Sequence, residues 1–254
     1  MYAAERQQLL VERLVQDGRL AVIALAEELD VSSETIRRDL AVLERDGLAQ
    51  RVHGGAVAAR RRSIPAAGPE GAVPNADQKG RIARAAAAHL PAAGGSMVLD
   101  AGTTISHLVD LIPHDHQLTA ITHAIPTAAK LMTIPSVELH MLGGRVRGVT
   151  SAAAGHSTVD ALASVQVDVC FLATSAASPQ HGLSSPDSEE AAVKRAFVRS
   201  ARKVVALFDA SKFSAEHVFA FASYDDLDIV ITDKGADQRE LEALRAHDVE
   251  VVLA

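Results

Sequence analysis

Two kinds of apolar spacing divide the chain. Up to about residue 46, apolar positions recur at helical intervals in short blocks. Leu10 and Leu14 share one face of a first helix that stops at Asp17-Gly18. Val22, Leu25, Ala26 and Leu29 form the i, i+3, i+4, i+7 stripe of a second, half-buried helix. Ala26 is small enough to let a neighbouring helix cross closely. Asp30-Val31-Ser32 interrupts the stripe, and a serine here can cap the next helix by accepting a backbone N–H. A third helix is predicted from about Ser33 to Asp46, with Ile36, Leu40 and Leu43 inward and Gly47 as its left-handed terminator. Leu48–Val52 and Ala56-Val57, joined through His53-Gly54-Gly55, read as the two arms of a hairpin.

Further on, β-rich apolar runs alternate with helical stretches. The strand candidates are Met97–Asp100, Leu118–Thr122, Val137–Leu142, Val167–Thr174, Val204–Asp209, Ile229–Asp233 and Val249–Leu253. Alternation of this kind predicts an α/β domain with a mostly parallel sheet covered by helices. Between the two regimes, residues 63–77 hold three prolines and two glycines with no apolar period, which reads as a linker. The expected organisation is a winged helix-turn-helix over 1–60, a linker over 61–77 and an α/β domain over 78–254.

Composition adds exclusions. The 254 residues are 48% hydrophobic and 22% charged, values of a globular chain rather than a disordered one. No apolar run reaches the ~18 residues of a membrane span, and Met1-Tyr-Ala-Ala-Glu-Arg6 lacks the apolar stretch of a signal peptide. The single cysteine, Cys170, excludes an internal disulfide framework and a multi-cysteine zinc site, and its apolar surroundings make it a core residue. A cytoplasmic chain with no membrane partner is expected. The charge of −7 is unevenly spread: residues 1–62 carry ten arginines and ten acids, and the whole excess of acid falls on 63–254. Within 33–62, seven arginines face four acids, so an anionic partner is expected at this end.

Two short helices joined by a tight turn and followed by a hairpin make a winged helix-turn-helix. With Ile36, Leu40 and Leu43 inward, Glu34, Arg38, Ala41 and Arg45 face away and Thr35 and Arg37 lie on the flanks. Ser32, Ser33, Thr35, Arg37 and Arg38 then project from the part of the helix that enters a major groove. Arginine can fork onto guanine or clamp phosphate, and the hydroxyls serve base or backbone. Arg51, His53 and Gly54 form a narrow cationic tip suited to phosphate or a minor groove. The alternative is a plain solvated face in which Arg37 and Arg38 pair with Glu34 and Asp39; the order of elements within 55 residues favours DNA.

In an open α/β sheet, ligands sit beyond the carboxyl ends of the strands. Asp100-Ala-Gly102-Thr103-Thr104, Thr122-His123, Gly143-Gly144 and Asp209-Ala-Ser211-Lys212 all follow strand candidates. Hydroxyls and backbone N–H groups at a helix start, glycines allowing close approach, a carboxylate and a cation together fit a small anionic polyol, a phosphorylated sugar.

The strings Leu25-Ala-Glu-Glu-Leu-Asp-Val-Ser-Ser-Glu-Thr-Ile-Arg-Arg-Asp-Leu40, Gly47-Leu48 and Arg51-Val-His-Gly-Gly-Ala56 resemble the DNA-binding domain of the DeoR family of bacterial sugar-metabolism regulators. The similarity runs on to about residue 250. It implies an effector domain similar in fold to ribose-5-phosphate isomerase and responsive to phosphosugars. The family's D-x-G-T-T corresponds to Asp100, Gly102, Thr103 and Thr104, its glycine pair to Gly143 and Gly144, and its D-x-S-K to Asp209, Ser211 and Lys212. The acid and base before its penultimate helix correspond to Glu190 and Lys194. Two features depart from the family: Thr122-His123 stands where Thr-Asn is usual, and the linker lacks the aromatic and arginine pair often found there.

The expected function is therefore a sequence-specific DNA-binding regulator, acting as a repressor of carbohydrate genes. It would work as a homo-oligomer, dimer or tetramer, on operator DNA, with a phosphosugar effector, no cofactor and no catalytic residues. Three alternatives stand beside it. A phosphosugar isomerase-like enzyme would use Asp209, Glu190 and Lys212 as acid and base groups. A metal-responsive regulator would rest on His107, His114, Asp115 and His116. A constitutive DNA-binding protein would use its second domain only to dimerise.

Overall fold

The computed structural model describes residues 6, 9, 10, 13, 19–29, 31–45, 49–52, 54–58 and 75–254. Leu14, Asp17-Gly18, Asp30, Gly47-Leu48, His53 and the linker residues 63–74 lie outside the described residues, as do the side chains of Arg45 and Arg51. The chain divides into two compact units, residues 1–66 and 67–254.

In the first unit, strand β1 (Arg19–Ala21) leads into helix α1 (Val22–Glu28), and helix α2 (Ser33–Arg45) is followed by strands β2 (Ala49–Val52) and β3 (Gly55–Ala58). Leu10, Leu25, Ala26, Ile36, Leu40 and Leu43 are all buried in one cluster, the inward set read from the spacing. Ser32 caps α2: its hydroxyl accepts the Thr35 amide at 3.1 Å, satisfying one of the donors a helix start leaves open. The three strands form an antiparallel sheet in the order β1-β3-β2. At three residues, β1 is too short to show an alternating pattern, so the spacing predicts only the β2–β3 hairpin. Gly55 marks the crossing of β3 with β1, since a Cβ there would lie 1.9 Å from the Leu20 carbonyl oxygen.

In the second unit, seven strands pair in parallel: β4 (Gly95–Leu99), β5 (Leu118–Thr122), β6 (Val137–Met141), β9 (Val167–Leu172), β12 (Ala201–Leu207), β14 (Ile229–Thr232) and β15 (Glu250–Leu253). Their order is β15-β14-β12-β9-β4-β5-β6, so β4 and β9 lie centrally and β6 and β15 are edges. Each corresponds to one of the seven strand candidates. The main difference is β12, which starts three residues early at Ala201. Helices α3 (Ala76–Ala86), α4 (Thr103–Val109) and α5 (Ile125–Leu131) pack on one face, over Met97, Leu99, Phe171 and Leu207. Helices α6 (His156–Leu162), α7 (Ser188–Arg199) and α8 (Gln238–Arg245) pack on the other, over Val98, Cys170, Ala206 and Val230. Burial on both faces explains why these strands read as continuous apolar runs. Helix α3 begins at Ala76, within the 61–77 stretch expected to be linker.

Two smaller sheets complete the unit. One is the hairpin of β7 (Arg145–Arg147) and β8 (Ala152–Ala154); the other joins β10 (Ala176–Ser178), β11 (Gly182–Ser185) and β13 (Phe219–Ala222). Their strands are only three or four residues long, too short to display a readable apolar period.

Candidate DNA-contacting helix and candidate effector site

Helix α2 presents its polar groups as the wheel requires. Ile36, Leu40 and Leu43 are buried, Arg37 and Arg38 are exposed, and Ser33 and Thr35 are half-buried. The Ser32 hydroxyl, exposed at the cap, also lies 2.8 Å from that of Thr35. Arg37 reaches Glu34 at 3.3 Å, an exposed pair of small energetic weight. Asp39 instead turns inward, is buried, and meets Arg6 at 2.5 Å. Arg38 makes no ion pair among the described residues. Gly54 takes φ +81° between β2 and β3, the left-handed geometry a tight hairpin needs.

In the second unit, the ends of β4, β5 and β9 meet around one carboxylate. Asp100 is fully buried and accepts four hydrogen bonds. Two come from backbone amides, Ala101 at 2.7 Å and Ala173 at 2.9 Å; the others come from His123 Nε2 at 3.1 Å and from Lys194 Nζ of α7. Burial alone would raise this carboxyl's pKa, but the Lys194 charge and the His123 hydrogen bond bring it down to about 2. Burial likewise pulls the Lys194 ammonium downward, and the charges of Asp100 and Glu190 outweigh it and hold the group above its ordinary value. Lys194 also donates to the Ala173 carbonyl at 2.9 Å, and Glu190 stands 3.7 Å away, one turn earlier on α7.

His123 is spent within this group. Its Nδ1 lies 2.7 Å from the Ala153 carbonyl of β8 while Nε2 faces Asp100. Both ring nitrogens thus face oxygen atoms of the fold. The ring stands edge-on to Phe197 with centroids 5.0 Å apart. The residue that departs from the family pattern therefore braces β5 against β4 and β8. Thr122, fully buried, donates to the Leu99 carbonyl at 2.8 Å and accepts the Ala124 amide at 3.2 Å, so its hydroxyl too is held internally.

Around this group the groups open to solvent are Gly102, Thr103, Gly143 and Gly144, while Thr104 is buried. Gly102 adopts φ +139°, a backbone that side chains rarely take, and starts α4. Gly144 is required sterically: a Cβ would lie 2.2 Å from Thr158 Oγ1, whose hydroxyl donates to the Gly143 carbonyl at 2.8 Å.

Asp209, Ser211 and Lys212 gather elsewhere. Asp209 is buried and accepts from the Ser211 amide and hydroxyl at 3.1 and 2.5 Å and from the Asn75 side chain at 3.0 Å. Burial opposes its ionisation, but the Ser211 bonds and the Lys212 charge bring its pKa below the ordinary carboxylate value. The nearby Lys79 of α3 is lowered by burial despite the Asp209 charge. Among the described residues this group shares no hydrogen bond with the Asp100 group. The structure thus brings Asp100, His123, Lys194 and Glu190 together and sets Asp209, Ser211 and Lys212 in a second cluster with α3.

Spacing alone misses Arg147 of β7, which holds Glu190 at 2.5 Å and Asp187 at 3.1 Å. It also misses Asn75 and Lys79, whose partner is distant in sequence. Asp187 did carry a signal: an acid three residues before Glu190 at the head of a helical run. It caps α7 by accepting the Glu189 and Glu190 amides at 3.1 and 2.9 Å. Among the described residues, no three His, Cys, Asp or Glu side chains gather as a metal site requires. His114 and Asp115 are exposed, and His116 Nε2 lies 2.8 Å from the Pro91 carbonyl. No helix among the described residues is long and apolar enough to cross a membrane.

Comparison with known proteins covers both units. Residues 6–62 match the DeoR-like helix-turn-helix domain and residues 74–234 match the DeoR C terminal sensor domain. The HTH-type transcriptional regulator GlpR of Haloferax volcanii is 33% identical over 99% of this chain and 98% of its own length. The putative aga operon transcriptional repressor of Escherichia coli O157:H7 is 31% identical, covering 98% and 93%. The glycerol-3-phosphate regulon repressor of Escherichia coli K12 is 28% identical over the whole of both chains. Among solved structures, ribose 5-phosphate isomerase A of Methanocaldococcus jannaschii aligns over 55% of each chain with 17% identity and a TM-score of 0.40. With both family domains matched in order and relatives aligned end to end, the chain is a transcriptional regulator of the DeoR family.

Proposed function

We propose that the chain represses genes of carbohydrate metabolism by binding operator DNA through α2, and that a phosphorylated sugar at the second unit's strand ends releases it. The observation that carries the DNA half is Arg38: exposed, on a capped helix whose inner face is fully buried, and without an ion pair among the described residues. An exposed guanidinium in this position fits a base edge or a phosphate. The names of relatives, an aga repressor and a glycerol-3-phosphate regulon repressor, support both the repressor role and a phosphorylated effector.

In this reading Gly102, Thr103, Gly143, Gly144, Ser211 and Lys212 meet the effector, while Asp100, Thr122, His123, Lys194 and Asp209 position the loops that carry them. Glu190 and Thr104 lie between the two sets. Asp100 and Lys194 neutralise each other at hydrogen-bond distance inside the fold, which supports a positioning role for this pair. Linkage then requires the effector to bind the weak-DNA form better, so that DNA weakens effector binding by the same factor. A homo-oligomer on repeated half-sites completes the scheme.

The test is a gel-shift on DNA selected from random sequence, followed by a panel of sugar phosphates. One of them should release the DNA from the native chain and leave it bound to Lys212→Ala. Release by none, or equal release of Lys212→Ala, overturns the assignment.

A further inference from the structure

Strand β6 ends the large sheet with one neighbour, β5, and its free edge is self-complementary. Its five residues are Val137, Glu138, Leu139, His140 and Met141. Registration with β5 aligns Leu118 with Val137 and Thr122 with Met141, and the bonds from the Leu118 amide to Ser136 O and from the Leu142 amide to Thr122 O fix the phase. Even-numbered residues of β6 therefore turn their backbone groups toward β5. Leu139 and Met141 direct N–H and C=O to the open side, as Val137 does its carbonyl. The Val137 amide is taken by Ile134 O at 3.1 Å. Glu138 and His140 stand on the exposed face, 3.3 Å apart at Oε1 and Nε2, with side chains 73% and 56% exposed.

We propose that this edge pairs with β6 of a second copy of the chain, antiparallel, about a two-fold axis at Leu139. In that register Leu139 faces Leu139 of the second copy as a hydrogen-bonded pair, and each Met141 amide meets the other copy's Val137 carbonyl. Glu138 falls opposite His140 of the second copy at the closer, non-hydrogen-bonded position, where side chains approach best. Shifting the axis to Glu138 would set the two Glu138 side chains against each other, and shifting it to His140 would set histidine against histidine. Only the axis at Leu139 gives each Glu138 carboxylate a histidine partner across the strands. The antiparallel arrangement also brings the start of one strand beside the end of the other, where Met141, 43% exposed, offers apolar surface. Edge strands that stay single are commonly blunted by charged side chains, proline or a bulge. This one has no lysine, proline or bulge, and its one carboxylate, Glu138, gains a histidine partner in the paired register. The pairing supplies a surface for the oligomer of the regulatory scheme, and it is independent of which effector or operator the chain uses.

Sedimentation of the full chain, without DNA or sugar phosphate, tests it. The native chain should form dimers. Glu138→Lys alone, and His140→Glu alone, should each weaken self-association on the order of ten-fold or more, because the first removes the carboxylate that meets His140 and the second sets a glutamate against Glu138. An equimolar mixture of the two variants should recover dimers, since the introduced lysine of one then faces the introduced glutamate of the other while the native pair survives at the second position. A monomeric native chain, single variants that dimerise normally, or a mixture that stays monomeric would each overturn the pairing. Because both side chains are exposed, melting temperatures of the variants should match the native chain at concentrations where all are monomeric.

Discussion

Arg38 and Lys194 are both cations on amphipathic helices, and the two units handle them in opposite ways. Arg38 stands exposed on α2 while its neighbour Asp39 is drawn inward to Arg6. Lys194 sits 4% exposed on α7, with Asp100, Glu190 and the Ala173 carbonyl around it. A charge left in water keeps its full capacity for an outside anion. A charge taken out of water must be matched at once, because its desolvation costs several kcal/mol. The first arrangement serves recognition of another molecule. The second fixes the ends of β4, β5 and β9 and the middle of α7 as one piece, so that loops projecting from them are held in register.

The contrast is broken most severely at Lys194. Lys194→Met should destabilise the second unit by about 3–5 kcal/mol, because it strands a fully buried carboxylate. Hydrogen exchange of β4 and α7 amides should accelerate accordingly, while that of α2 stays unchanged. Acid probes the same pair more gently. The Asp100 pKa falls from its unfolded value to about 2, so its contribution is fully present above the unfolded pKa of about 3.8 and disappears as pH drops toward 2. The loss is about 2 kcal/mol between pH 5 and pH 2, measurable by urea titration at each pH.

On the exposed side, Arg38→Ala should lower operator affinity by about 1–3 kcal/mol, yet change unfolding by less than about 0.5 kcal/mol. A large loss of stability would mean that Arg38 is a structural group like Lys194. Arg37→Ala gives the smallest effect. Its exposed pair with Glu34 adds little to stability, and its loss should reduce the salt dependence of DNA binding by about one charge.

Local signals were legible where a residue's role depends on near neighbours. The Ile36, Leu40, Leu43 face, the Ser32 cap and all seven parallel strands follow from spacing and capping chemistry within a few residues. Roles set by distant partners were not. Nothing near Asp209 announces that Asn75, 134 positions away, will bind it. Nothing near His123 says that the Ala153 carbonyl will claim its Nδ1. Both residues were recognisable as polar groups at strand ends, but whether such a group faces a ligand or braces a neighbour depends on the layer into which its side chain turns. The short strands β1, β7 and β10 were invisible for another reason: three residues cannot display a period.

The lone thiol has a practical consequence. Cys170 lies fully buried in β9, with its pKa raised well above the ordinary value by burial and by the Asp100 charge. Sealed in this way and kept protonated, it reacts slowly with alkylating reagents and oxidants. A cysteine installed at an exposed position such as Thr103 or Ala41 would then take up a fluorophore or spin label selectively in the folded chain, with the native background silent. Labelling at Cys170 itself would report global opening of the sheet, giving a clock for unfolding built into the native sequence.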